Sequence, residues 1–235
     1  MDPLMSFLQT AAIVIAGLTL RFLVALVGLV LLVLPIVAVL ELVRLGQRLY
    51  EGRRGMEPAG HLQWLRRLYY APGHTWVAEA SASSLRIGVD DLAQRLLTGA
   101  RAVRVAEPGT ELRRGDTLAE INLGGRKARI IAPVDGTVMD VNDEVATNPE
   151  LVHTEPYRRG WLALVAPSGG EYRDLRTGAA ARQWLVAEDQ RLSAFFETRL
   201  GLAAADGGEY VLPPPALLEP EQWDEAVRLF LTPQP

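Results

Sequence analysis

The sequence predicts a mainly β domain with flanking helices, preceded by one N-terminal transmembrane helix, and three patterns support this. Residues 22–40 form an uncharged, predominantly apolar run. Between residues 75 and 165, short runs rich in β-branched and apolar residues alternate with Gly, Pro, Asn and Asp, as in a protein of short strands and tight turns. After residue 173, apolar residues recur at helical spacing.

The composition excludes several classes of function. A net charge of -4, without a basic stretch interleaved with aromatic residues, gives no reason to expect nucleic acid as a partner. The chain has no cysteine, which excludes disulfides and thiolate chemistry. The three histidines, His61, His74 and His153, lack the paired spacing of a metal site. Because no nucleophile stands beside a base, we expect no active site in this chain.

Residues 1–45 are predicted to contain the transmembrane helix, which spans from Phe22 to Leu40. At 1.5 Å per residue this helix is about 28 Å long, close to the roughly 30 Å of a bilayer core. Arg21 precedes the span, and a second apolar run over residues 11–20 would extend it. A cleaved signal peptide fits less well, because the chain lacks a basic segment before the run and small residues soon after it.

Arginines after the span predict the orientation. Arg44 and Arg48 follow it, together with Arg53, Arg54, Arg66 and Arg67, whereas residues 1–20 carry no basic side chain. The positive-inside rule then places the N-terminus outside and the following domain in the cytoplasm, as in a single-pass inner-membrane protein. The lipid bilayer is therefore a predicted partner, and these arginines either set topology alone or also attract anionic headgroups. Residues 46–69 are predicted to form a juxtamembrane helical linker.

The central region contains a short helix and a tight hairpin. Asp90 is the expected N-cap of a helix that runs to Leu97. Strand-like runs at 117–123 and 126–131 flank Gly124-Gly125, which is typical of a two-residue hairpin turn. Further strands are predicted at 76–80, 84–89, 102–105 and 161–165.

Residues 70–190 carry a series of motifs in a fixed order. They read Ile-Gly-Val-Asp-Asp-Leu-Ala-Gln at 87–94, Glu-Pro-Gly-Thr-Glu-Leu at 107–112, Ala-Pro-Val-Asp-Gly-Thr-Val at 132–138 and Gly-Trp-Leu at 160–162. In these motifs the region resembles the glycine cleavage system H protein. The resemblance implies a barrel-sandwich hybrid fold and a carrier that bears a lipoyl group on a lysine. It also implies a structural role for His74.

The resemblance fails at the carrier lysine. In the family that lysine stands eight residues before the proline that corresponds to Pro133, and here this position is Gly125. Lys127, the only lysine of the chain, stands six residues before Pro133. Two readings remain: Lys127 is an unmodified surface lysine on a retained scaffold, or Lys127 carries the lipoyl group from a shifted position.

Residues 191–235 are predicted to form a C-terminal extension, in which a proline-rich linker precedes a short helix. Trp223, Val227 and Phe230 fall on one stripe of that helix. They either bind a partner or pack back onto the chain's own domain.

We therefore expect a membrane-anchored H-protein-like domain without a cofactor, which serves as a scaffold or accessory subunit of a larger membrane complex, for example a bioenergetic one. The alternative is a membrane-tethered lipoyl carrier that uses Lys127 to serve a cytoplasmic redox or one-carbon enzyme. A periplasmic adaptor is a third reading, and the arginines after the span argue against it.

Overall fold

The computed structural model describes residues 56–200 and 217–233, together with Phe22, Val33 and Leu34. The chain divides into two units, Met1–Arg54 and Gly55–Pro235, and the second contains nearly all of the described residues. In the first unit, the three described residues are helical. No helix among the described residues has the length and apolar character needed to cross a membrane.

Several predicted features lie outside the described residues. They are the body of the transmembrane helix, with Arg21, Leu40, Arg44 and Arg48, and the proline-rich linker before residue 217.

The second unit contains eleven short strands among its described residues, with helices between and after them. The strands are β1 (Met56–Ala59), β2 (Leu62–Leu65), β3 (Tyr69–Ala71), β4 (Thr75–Ser81), β5 (Ser84–Val89), β6 (Ala102–Val105), β7 (Glu111–Leu112), β8 (Thr117–Asn122), β9 (Lys127–Ile131), β10 (Gly136–Val141) and β11 (Ala163–Pro167). The helices are α1 (Asp91–Leu96), α2 (Asp143–Thr147), α3 (Leu151–Thr154), α4 (Gly178–Leu200) and α5 (Pro220–Ala226), which continues as a π-helical turn (Val227–Leu231).

The strands form three antiparallel sheets. The largest has the order β3-β4-β5-β11-β10-β7, the second has the order β6-β8-β9, and β1 and β2 form a separate hairpin. One cluster of buried apolar side chains comes mainly from the strands of the large sheet, and Val77, Ile87, Val138 and Val165 are among its members. The prediction of a mainly β fold with flanking helices is confirmed.

The predicted central elements are confirmed in position. Asp90 caps α1 by accepting hydrogen bonds from the backbone N–H groups of Leu92 and Ala93, at 3.0 and 3.1 Å. The hairpin of β8 and β9 turns at Gly124-Gly125, and the remaining predicted strands lie within two residues of β4, β5, β6 and β11.

The helical reading of the linker at 46–69 is wrong for its described part. Residues 56–65 form the β1–β2 hairpin, which turns at Gly60 and His61. Gly60 has a φ of 66°, a conformation that glycine adopts without strain. Leu62 and Trp64 are both buried while Gln63 is exposed, so the apolar pattern here has the period of two that strands require.

The C-terminal helix packs onto its own domain, so of the two readings of its apolar stripe the structure has the second and not the partner-binding one. Trp223, Val227 and Phe230 are 1%, 8% and 2% exposed. They join an apolar cluster that also contains residues of α1, α4 and the three-stranded sheet. Their side chains are already covered, so they offer no apolar face to another protein.

Candidate functional site

The tip of the β8–β9 hairpin is a two-residue turn. The backbone N–H of Leu123 donates to the carbonyl of Arg126 at 2.8 Å, which closes the turn. Gly124 and Gly125 have φ values of 74° and 111°, and two consecutive positive φ values are what a tight hairpin turn of this type needs. A side chain at Gly125 would be strained there, although nothing lies within 4 Å of a Cβ at that position.

Lys127 opens β9 and lies beside the turn. Its Cα partner across the hairpin is Asn122, the last residue of β8. Lys127 and Arg129 are exposed, whereas Ala128 and Ile130 are buried, so the first two share the outer face of the three-stranded sheet. The amine of Lys127 therefore extends from a sheet face, not from the hairpin tip.

Arg126 ties the hairpin tip to the C-terminal extension. Its guanidinium donates a hydrogen bond to the carbonyl of Leu218 at 2.6 Å. Its Cζ also lies 5.8 Å from the ring centroid of Trp223, which is within the range of a cation–π contact. The extension thus restrains the part of the domain where a carrier would hold its mobile arm.

Arg101 approaches the same turn from the other side. A Cβ at Gly124 would stand 3.0 Å from the Nε atom of Arg101, which leaves little room for a larger residue. Arg101 also donates its backbone N–H to the carbonyl of Asn122 at 2.7 Å. The turn is therefore flanked by two arginines, Arg101 and Arg126.

A second cluster of polar side chains surrounds His74, which is fully buried. Its Nδ1 atom is 2.8 Å from Asp90, and its Nε2 atom is 3.5 Å from Glu188 on α4. The ring stacks on Trp184 with the centroids 4.8 Å apart. Among the described residues, His74 is the only non-glycine residue with a positive φ, and its value is 54°. Such strain is tolerated where surrounding contacts fix the residue.

The pKa of His74 reflects two opposed effects. Burial disfavours the charged ring, but Asp90 and Glu188 outweigh burial and raise the pKa of His74 to about 9. Burial also acts on the Glu188 carboxyl, yet His74 and Arg191 lower its pKa overall. Arg191 holds both carboxylate oxygens of Glu188, at 2.6 and 2.7 Å. His74 is thus a buried cation that joins β4 and α1 to α4.

Comparisons with known proteins identify the family of this chain. A family model described as "Glycine cleavage H-protein" matches residues 68–188, just over half of the chain. The chain belongs to the glycine cleavage H-protein family. The glycine cleavage system H protein of Micrococcus luteus is 42% identical over 96 residues, which cover 40% of this chain and 75% of that protein.

Other relatives match over a longer stretch of the chain. The probable glycine cleavage system H protein of Pyrococcus furiosus is 32% identical over 120 residues, which cover 50% of this chain and 89% of that protein. A solved H protein from Mycobacterium marinum aligns at 23% identity with a TM-score of 0.45, over 53% of this chain and 99% of that chain.

The H-protein hairpin of this chain does not fit a lipoyl group at its tip. An amide-linked lipoyl arm needs a side-chain amine, and glycine at position 125 has none. Lys127 supplies an amine, but one that belongs to the sheet face beside Arg129. Gly125 and Lys127, the two residues that the sequence indicates for this site, are therefore close in space. Gly125 lies in the turn, whereas Lys127 lies in β9.

Sequence reasoning missed Arg126 and Glu188. Arg126 is one of many arginines, and nothing in its neighbourhood in the sequence indicates a contact with Leu218. Glu188 had a detectable signal, because it occupies the buried stripe of α4 together with Leu185 and Leu192. An acidic residue at a core position of a helix indicates a buried partner.

Proposed function

We propose that this chain is a non-lipoylated H-protein-like binding subunit, in which the carrier hairpin has become part of the protein's own packing. The observation that carries this proposal is the hairpin tip, which is formed by Gly124 and Gly125 and is bound to the C-terminal extension by Arg126. The spacing from Pro133 supports it, because the resemblance to the family implies a carrier lysine at position 125. A carrier needs a mobile, exposed arm that reaches several active sites. A tip fixed by its own chain suits a stationary role.

An in vitro lipoylation assay tests this proposal. The purified chain is incubated with a lipoate–protein ligase, lipoate and ATP, and its intact mass is recorded. We expect no increase in mass, because the lysine lies on a strand beside the turn that the enzyme must recognise. The Micrococcus luteus H protein serves as the positive control in the same reaction.

The Lys127→Arg variant makes the assay specific. It retains the positive charge and removes the primary amine. If the wild-type chain gains the mass of one lipoyl amide and Lys127→Arg does not, the chain is a carrier and the proposal fails. This outcome would establish the second candidate, a tethered carrier, for which the exposure of Lys127 on β9 is the supporting observation.

We further propose that residues 1–45 anchor the subunit in a membrane, with its domain on the arginine-rich side. The uncharged run at 22–40 and the arginines that follow it support this proposal. An anchored subunit would remain at one membrane complex and would not diffuse between enzymes. We expect the full chain to stay in the membrane fraction after washing at alkaline pH, and a chain that lacks residues 1–45 to appear in the supernatant. Recovery of both proteins in the supernatant would contradict the anchor.

A further inference from the structure

An open groove runs between α4, the C-terminal helix and the outer face of β9. Its main part encloses about 780 Å³ and is lined by Arg129, Ile131, Arg191, Arg228 and Leu229 among others. A shallower depression of about 360 Å³ shares Arg191 and Leu229 with it and adds Phe195 and Arg199. The two depressions therefore form one continuous groove, which we call the arginine groove.

Apolar side chains line part of the arginine groove. Leu229 is 41% exposed, although it follows the buried Val227 and precedes the buried Phe230. Phe195 is half-buried on the adjacent face of α4. The C-terminal helix thus buries one stripe in its own domain and leaves part of its other face, including Leu229, open to solvent.

Cationic side chains border these apolar residues, and two of them form no ion pair among the described residues. One carboxylate, Glu225, also lines the groove, and Glu120 is the cross-strand neighbour of Arg129. Arg191 is paired with Glu188, and Arg199 is paired with Glu225, each at 2.6 Å. Arg129 and Arg228 are exposed and form no ion pair with any residue in 56–200 or 217–233. The whole chain has a net charge of -4, so this positive groove is a local feature and does not follow from overall charge.

We propose that the arginine groove binds an acidic amphipathic segment of a partner protein. The apolar side chains of such a segment would lie on Phe195 and Leu229, and its carboxylates would meet Arg129 and Arg228. Arginine presents a planar fork of donors that matches a carboxylate, and arginine with aromatic residues is enriched at binding hot spots.

The dimensions of the groove favour a short segment. Residues 191–199 of α4 border it and span about 12 Å along the helix axis, which is about two helical turns. A helix of this length that packs its apolar face into a groove is a recurring mode of peptide recognition. Apart from Arg129 and Ile131, the lining residues named above lie beyond residues 68–188, so the groove depends on the additions to the H-protein domain.

A peptide titration tests the proposal on the full chain in detergent. The probe is a labelled synthetic peptide with leucines at i, i+3, i+4 and i+7 spacing and glutamates on its other face. The control peptide carries lysine in place of every glutamate. We expect the glutamate peptide to bind at least about tenfold more tightly than the lysine peptide, as measured by fluorescence anisotropy, because the charges of the groove favour only the first.

Charge-reversal variants locate the binding site. We expect Arg129→Glu with Arg228→Glu to weaken binding of the glutamate peptide by about tenfold or more, and Arg182→Glu to leave it unchanged. Arg182 is exposed on the first half of α4 and does not line the groove, so it is a matched control. Should the double reversal lower stability, Arg228→Gln alone gives the same comparison.

Three outcomes overturn the proposal: absence of binding, equal binding of both peptides, or equal weakening by Arg182→Glu. The proposal rests on a binding role for the chain, but its test is independent of the lipoylation assay. Binding of the peptide by a chain that also accepts lipoate on Lys127 would refute the proposed function and leave the groove intact.

Discussion

Trp223→Ala is expected to lower the free energy of unfolding by about 3 to 5 kcal/mol, which is the usual cost of truncating a fully buried tryptophan. Trp223 is 1% exposed and lies in the apolar cluster that joins the C-terminal helix to α1, α4 and the three-stranded sheet. Truncation would also remove the aromatic ring over which Arg126 lies. Chemical denaturation of the full chain in detergent measures the effect.

Leu229→Ala is the matched control for this prediction. Leu229 belongs to the same helix but is 41% exposed, so its truncation should cost less than about 1 kcal/mol. If Trp223→Ala destabilised the protein no more than Leu229→Ala, the C-terminal helix would not be part of the core. The hairpin tip would then not be restrained either, because Arg126 contacts Trp223 in that helix and Leu218 just before its N-cap.

The second large effect is a loss of stability at alkaline pH. Asp90 and Glu188 raise the pKa of His74 to about 9 in the folded protein, against an ordinary value of 6.5. This stabilising contribution is complete below about pH 6.5 and is lost as the pH rises through about 9. At about 1.4 kcal/mol per tenfold change in proton affinity, the loss amounts to about 3 kcal/mol. Denaturant titrations at about pH 6 and about pH 9.5 measure it.

His74→Asn tests the cause of this pH dependence. Asparagine tolerates the positive φ of this position but cannot carry the charge. We expect the variant to be less stable at low pH and to lose the decline between about pH 6 and about pH 9.5. Burial raises the pKa values of Tyr70 and Tyr157 above the ordinary 10.0, so these groups titrate beyond this window. An unchanged decline in His74→Asn would show that another group titrates.

Local sequence signals were sufficient to predict the turn, the helix cap and the strands in the central part of the fold. The Gly124-Gly125 pair, the Asp90 cap and the alternating strands each depend on neighbours within a few residues, and the structure has them where the sequence predicts. The spacing of six residues between Lys127 and Pro133 is also visible in the sequence. Its consequence required the structure, which shows that the lysine lies on the strand and Gly125 at the tip.

Contacts between distant residues escaped prediction. His61 hydrogen-bonds through its backbone N–H to Asp189 at 2.9 Å, across 128 residues of sequence, and this bond joins the β1–β2 hairpin to α4. The apolar residues around Trp64 fit a helix as well as a strand in so short a run, and pairing with β1 decided the outcome. Glu188 and Asp189 occupy core positions of α4. The spacing of Leu185 and Leu192 indicates these positions, but it does not indicate which distant residues contact them.

We infer that this H-protein-like domain has no lipoyl arm. The intact mass of the full chain, extracted in mild detergent from its native host, tests this inference, and the other lipoyl proteins of the same cells are measured as a control. We predict the unmodified mass of the chain while those proteins are modified. A mass increased by one lipoyl amide, mapped to Lys127, would contradict this inference and show that the protein is a lipoyl carrier.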